Sequence, residues 1–107
     1  MNLKPTTRFS KMIKLLGRKY PSIAEDFEEL IPDLLENPFI GESLGRSCYK
    51  IRMAISSKNS GKSGGARVIT LVKIENEVIH LLTIYDKSEK ENISDKELTE
   101  LINLTEE

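Results

Sequence analysis

Between Tyr49 and Val68 the chain gathers Lys50, Arg52, Lys58, Lys62 and Arg67, and residues 46–73 hold seven Lys or Arg and no Asp or Glu. Lys50 and Arg52 are two apart in the alternating run CYKIRMAI, which puts both side chains on one side of a strand. Arg67 enters the next β-branched run, ARVITLVKI, and Lys58 and Lys62 lie on the polar loop that joins the two. If the strands pair, these cations converge on one edge of a sheet. A cluster of this kind suits a phosphodiester: it holds the phosphates and can stabilise the extra charge of a pentacoordinate transition state. The same residues would also serve as the wet face of an amphipathic strand, which composition alone favours.

The joining loop contains Gly61-Lys62-Ser63, the tail of a nucleotide-binding P-loop. That motif needs a glycine five residues earlier and a helix afterwards. The earlier position is Ser56 and a strand follows, so no helix N-terminus is available to receive phosphates. Gly61, Gly64 and Gly65 either let backbone approach a ligand or simply serve the connection. Further on, Tyr85-Asp86-Lys87-Ser88-Glu89 ends an apolar run. There Glu89 or Asp86 could accept a proton, Lys87 could bind phosphate and Tyr85 could stack on a base. His80, flanked by apolar residues, reads as a packed histidine, and Cys48 as a small strand residue. One Cys and one His leave no intramolecular disulfide and a poor supply of zinc ligands, so no metal or cofactor is expected.

These side chains need a scaffold, and the hydrophobic pattern supplies one. Phe9, Met12, Ile13 and Leu16 mark one face of an amphipathic helix, with Gly17 placed to loosen or end it. Pro21 breaks the chain. Ser22 with Glu25 forms a capping-box pattern before a second stripe, Ile23, Phe27, Leu30, Ile31, Leu34 and Leu35, in which Pro32 predicts a kink or restart. Phe39 to Ser47 reads as a loop. CYKIRMAI, ARVITLVKI and VIHLLTIY follow as three strands, the middle one apolar on both faces and therefore central. Glu75-Asn76-Glu77 is a hairpin turn. In VIHLLTIY, alternation groups Val78, His80, Leu82 and Ile84 against Ile79, Leu81, Thr83 and Tyr85. Ser94 with Glu97 caps a short final helix carrying Leu98, Leu101 and Ile102. The order α-α-β-β-β-α predicts one α+β domain over residues 1–107, an antiparallel meander with its helices on one face.

The formal net charge is only −1, but its distribution is uneven. Residues 1–21 carry six bases and no acid, and residues 22–42 carry seven acids and no base. Residues 74–107 carry ten acids and three bases. Such blocks either cancel across the folded surface or mark out partners. The N-terminal stretch has no long apolar run, so no membrane segment is expected and a cytoplasmic location is the default.

The runs Tyr49 to Arg52, Gly61 to Ile69 and Leu81 to Glu89, with Glu36-Asn37-Pro38 and Gly41 before them, resemble the RelE/HigB branch of the RelE/ParE superfamily. These are toxins of bacterial type II toxin–antitoxin systems. The resemblance covers about residues 8–102, and its most diagnostic part is Gly-Lys-x-Gly-Gly-x-Arg feeding a strand. It implies two N-terminal helices packed on a small twisted antiparallel sheet. It also implies metal-independent, ribosome-dependent cleavage of mRNA through attack by the ribose 2′-OH. Lys50, Arg52, Arg67 and Lys87 match catalytic cations of the family. Lys62 matches a loop lysine of the HigB-like branch and joins Lys58 and Tyr85 as an RNA-binding residue. RelE itself has an arginine where this chain has Ser88, and a tyrosine where it reads Asn92-Ile93-Ser94. The proton-transfer group therefore does not carry over, and Glu89 is the candidate. The implied partners are the ribosome, mRNA and a cognate antitoxin, a small helix-turn-helix protein. Two alternatives are a ParE-like poison of DNA gyrase and a degenerate toxin that only binds antitoxin.

Overall fold

The computed structural model of the chain describes residues 1–58 and 61–106. In order the elements are β1 (Asn2–Pro5), α1 (Thr7–Lys19), α2 (Ile23–Glu36), β2 (Glu42–Gly45), β3 (Cys48–Met53), β4 (Ala66–Lys73), β5 (Val78–Asp86) and α3 (Asp95–Leu104). The α+β architecture and the β3-β4-β5 antiparallel meander match the expectation. The sheet is larger than expected, with strand order β1-β5-β4-β3-β2. Asn2–Pro5 adds an edge strand parallel to β5, which makes the sheet mixed.

The second addition, β2, lies in what reads as a loop. It is joined to β3 by Arg46 and Ser47, both at positive φ (55° and 63°). A two-residue hairpin with both positions left-handed matches the twist of its strands. Asn-Gly is the usual signal for that turn, and Arg-Ser does not carry it. Gly41 precedes the strand at φ +104, and a Cβ there would lie 2.5 Å from the Lys50 carbonyl oxygen.

The helices do not share one face. The first core cluster joins Phe9, Leu16, Ile23, Phe27 and Leu34 of α1 and α2 to Ile51, Met53, Val68, Ile79, Leu81 and Ile84 of the sheet. A second cluster on the opposite face joins Leu98 and Leu101 of α3 to Cys48, Ile69, Leu71, Leu82 and Tyr85. A central strand that is apolar on both sides needs cover on both, and α3 supplies the second layer.

The grouping expected along β5 also changes. The register moves from Ile69 opposite Thr83 to Thr70 opposite Leu81, leaving Leu82 as an extra residue. This bulge switches the alternation, so Leu81 and Ile84 enter the first cluster while Leu82 and Tyr85 enter the second.

Local chemistry explains the helix ends. Thr6 Oγ1 accepts from the Phe9 amide (3.1 Å) and donates to the Leu82 carbonyl (2.9 Å), capping α1 and tying it to β5. α1 continues through Gly17 to Lys19, and α2 continues through Pro32 with Phe27 and Leu34 buried on either side of it. The Ser22 capping box does not form. Ser22 is itself helical, and its hydroxyl donates to Asp26 Oδ2 (2.8 Å). Ser94 does cap α3, accepting from the Glu97 amide at 3.1 Å. No helix among the described residues is long and apolar enough to cross a membrane.

Candidate nucleic-acid interface

The strand register sets the core of the site. Arg52 lies opposite Arg67, and Arg67 lies opposite Tyr85, so the three form one row across β3, β4 and β5. Lys50 lies opposite Ile69 on the same face. This row borders a cavity of about 300 Å³ lined by Lys50, Arg52, Arg67 and Lys87, with Glu42, Ser63, Glu91 and Asn92. Four of the six cations expected from the sequence to act on a phosphate therefore meet in one place. With two carboxylates among them, the cavity has a formal excess of two positive charges.

Each cation is held differently. Arg67 is only 4% exposed. Its guanidinium donates to the carbonyls of Lys62 (3.0 Å), Ala66 (3.1 Å) and Ser63 (3.1 Å). Carbonyl dipoles solvate the buried charge without neutralising it, which leaves it available to an anion. The same bonds fasten the loop to β4. Lys50 Nζ lies 3.7 Å from Glu42 Oε1 and donates to Asn92 Oδ1 at 3.3 Å. Lys87 is positioned through its backbone, whose amide donates to the Gly65 carbonyl (3.0 Å). Arg52 is exposed, and its guanidinium has no protein partner among the described residues.

Glycine serves this loop by close approach, but to the chain itself. A Cβ on Gly65 would lie 2.1 Å from the Met53 carbonyl oxygen, so only glycine lets the loop enter β4 beside β3. Asn59 and Ser60 of the same loop lie outside the described residues.

The remaining candidates fall elsewhere. Lys58 donates to Asp86 Oδ1 (2.8 Å) and Ser88 Oγ (3.3 Å), behind the cavity. Asp86 is fully buried and also accepts from the Tyr20 hydroxyl (2.6 Å), the Ser88 amide (2.9 Å) and the Ser88 hydroxyl (2.8 Å). Burial alone would push its carboxyl up. The Lys58 ammonium, the Tyr20 hydroxyl and the Ser88 donors outweigh that and hold it well below the usual carboxylate range. Asp86 is thus an anchor with its acceptor sites occupied.

Glu89 is also away from the cavity, with Oε1 3.5 Å from Lys19 Nζ of α1 and a side chain 60% exposed. Lys62 lines a second hollow. Tyr85 is buried with Lys90 Nζ 5.1 Å from its ring centroid, so its ring offers no open face to a base. Burial pushes its phenol up, and its hydroxyl has no hydrogen-bond partner among the described residues. His80, in the half of β5 remote from Asp86, is buried beside β1, and burial followed by Lys4 and Lys73 lowers its pKa. Among the described residues no three His, Cys, Asp or Glu side chains gather to hold a metal ion.

The second hollow, about 580 Å³, runs between α2 and β3. Asp26, Glu29 and Asp33 line one side, Arg52 and Lys62 the other, with Leu30, Ile40 and Met53 among its apolar lining. It shares Glu42, Lys50 and Arg52 with the smaller cavity. Sequence reasoning passed over Glu42, Ser63, Glu91 and Asn92 as cavity residues. Glu42, Glu91 and Asn92 carry no motif, and only the β2 hairpin and the approach to α3 bring them to the cations, whereas Ser63 arrives on the loop entering β4.

The fold is similar to solved structures of E. coli RelE. A double mutant of that toxin in the free state aligns with 21% identity and a TM-score of 0.64, covering 95% of this chain and 94% of the other. The isolated E. coli RelE toxin aligns with 22% identity and a TM-score of 0.62, covering 95% of each chain. The intact E. coli RelBE toxin–antitoxin complex matches with 24% identity and a TM-score of 0.62, over 79% of this chain and 94% of that one. The family model described as the RelE toxin of the RelE/RelB toxin–antitoxin system matches residues 25–107. That span holds every residue of the cationic cavity, and the chain belongs to the RelE toxin family.

Proposed function

We propose that this chain is a ribosome-dependent mRNA endonuclease that inhibits translation and is held in check by a cognate antitoxin. The observation that carries the reading is the convergence of Lys50, Arg52, Arg67 and Lys87 on one cavity of about 300 Å³. Such a cavity grips a backbone phosphate. As the ribose 2′-oxygen attacks that phosphate, charge grows on the phosphoryl oxygens, and preorganised cations stabilise it more than they stabilise the ground state. Arg52, exposed and without a protein partner among the described residues, is suited to grip the phosphate, and buried Arg67 to meet the developing charge. The antitoxin partner is supported by family membership and by the similarity to a toxin solved in complex with its antitoxin. A small helix-turn-helix protein encoded beside this chain is the expected form.

Induced expression without antitoxin tests the reading. It should arrest growth and leave mRNA cuts that primer extension maps within translated regions. Arg52→Ala should relieve both, with cleavage reduced about 10²–10³-fold, as when a transition-state donor is lost. Arrest with damaged DNA and intact mRNA would select a gyrase poison. Antitoxin binding without arrest would select a binding module.

A further inference from the structure

Endonuclease action of the kind proposed above needs a group to take the 2′-hydroxyl proton, and Glu89 does not line the cavity. Two carboxylates do, Glu42 and Glu91. We infer that Glu91 is the general base, an assignment that rests on the endonuclease reading.

Position is the first argument. Glu91 lies between β5 and α3, and both of its neighbours are anchored. The Lys90 amide donates to the Asp86 carbonyl (3.2 Å), and the Lys90 ammonium pairs with Glu97 above the Tyr85 ring. On the other side, Asn92 Oδ1 accepts from Lys50 Nζ (3.3 Å). The segment is thereby fastened to α3 and to β3, and Glu91 lines the cavity between the two fastenings. Availability is the second argument. Glu42 already pairs with Lys50 at 3.7 Å. Asp86 is buried with four donors on its two oxygens. Glu91 has no hydrogen-bond or ion partner among the described residues, so its oxygens are free to accept. Complementarity is the third. Four cations can bind and stabilise a phosphate, but none of them can accept a proton while charged.

The step balances with groups already present. The 2′-hydroxyl proton passes to the Glu91 carboxylate as the 2′-oxygen–phosphorus bond forms. The bond from phosphorus to the 5′-oxygen breaks, and that oxygen leaves with a proton from the Lys87 ammonium. Of the two cavity lysines, Lys87 has no side-chain partner among the described residues. Water then returns the proton from Glu91 to Lys87. The products are a 2′,3′-cyclic phosphate and a 5′-hydroxyl end.

The test is single-turnover cleavage of a defined mRNA on programmed ribosomes at neutral pH. It compares the wild type with Glu91→Gln, Glu91→Asp, Glu42→Gln and Glu89→Gln, each first checked for a wild-type unfolding transition. Glu91→Gln should slow cleavage by about 10²–10⁴-fold, with association to the ribosome unchanged. Glu91→Asp should restore part of the rate. Cleavage by Glu91→Gln within about threefold of wild type would overturn the assignment. So would a loss of about 10²-fold or more in Glu42→Gln or Glu89→Gln that exceeds the loss in Glu91→Gln. Absence of cuts by the wild type would overturn the endonuclease reading and this assignment together, whereas equal cuts by wild type and Glu91→Gln remove this assignment alone.

Discussion

Residue chemistry divides the cations of this chain into two sets. Lys50, Arg52, Arg67 and Lys87 face a cavity, whereas Lys58 is spent on Asp86. Asp86 joins Tyr20 at the end of α1, Lys58 after β3 and Ser88 after β5. Its carboxyl titrates lower folded than unfolded, so the unfolded chain takes up the proton first as pH falls. The stabilisation is therefore complete above the unfolded value, about 3.9, and is lost as pH falls through the depressed folded value. Asp26 acts in the same direction, since burial raises its carboxyl but Ser56 and Ser22 lower it further. Asp86→Asn should cost about 3–5 kcal/mol at neutral pH by leaving Lys58 unpaired, and should flatten the acid fall in stability. Urea unfolding at pH 7 and at several values below 4 measures both effects. Lys87 was named from the turn that ends β5 and from the family resemblance, and Lys50, Arg52 and Arg67 were legible in the sequence because spacing and strand period put them on one face. The role of Lys58 was not, because nothing local to it names a partner 28 residues away.

The elements place the site more tightly than their sequence signals suggest. The cavity lies where the β2–β3 hairpin, the loop entering β4 and the approach to α3 come together. The loop is fixed at Gly65, which enters so close to β3 that a methyl group would overlap the Met53 carbonyl. Gly65→Ala should therefore destabilise the fold by about 1–3 kcal/mol through overpacking. It should also weaken cleavage by displacing Arg67 and Lys87. Chemical denaturation combined with the ribosome assay separates the two losses. β3, β4, β5 and the three helices were readable from period, and α3 also from its Ser94 cap. The edge strands were not. β1 is four residues long with Leu3 as its lone aliphatic residue, and β2 forms through a turn of Arg46 and Ser47 held left-handed. The bulge at Leu82 is equally silent, because an apolar run looks the same in either register.

At the scale of the whole molecule, the near-zero net charge hides a division of surfaces. Asp26, Glu29 and Asp33 of α2 form no salt bridge among the described residues and face Arg52 and Lys62 across the larger hollow. The smaller cavity keeps its excess of positive charge. Binding of a single-stranded RNA should therefore respond to salt as a local contact and not as the net charge would suggest. With three or four phosphates neutralised, log K against log salt should fall with a slope of about −2 to −3. Fluorescence anisotropy with an oligoribonucleotide bearing a 2′-deoxy substitution at the scissile position measures it without cleavage. Arg52→Ala should reduce the slope by about 0.7.

By itself the sequence determined the α+β class, the central place of β4 and the grouping of Lys50, Arg52 and Arg67. These depend on period, and side-chain direction in a strand follows from position alone. Tertiary structure decided which groups complete the cavity. Glu42 arrives by pairing of β2 with β3, and Glu91 and Asn92 arrive with the segment that leads to α3 on the second face of the sheet. Glu89 instead lies beside Lys19 of α1, two positions along the chain from Glu91 in the cavity.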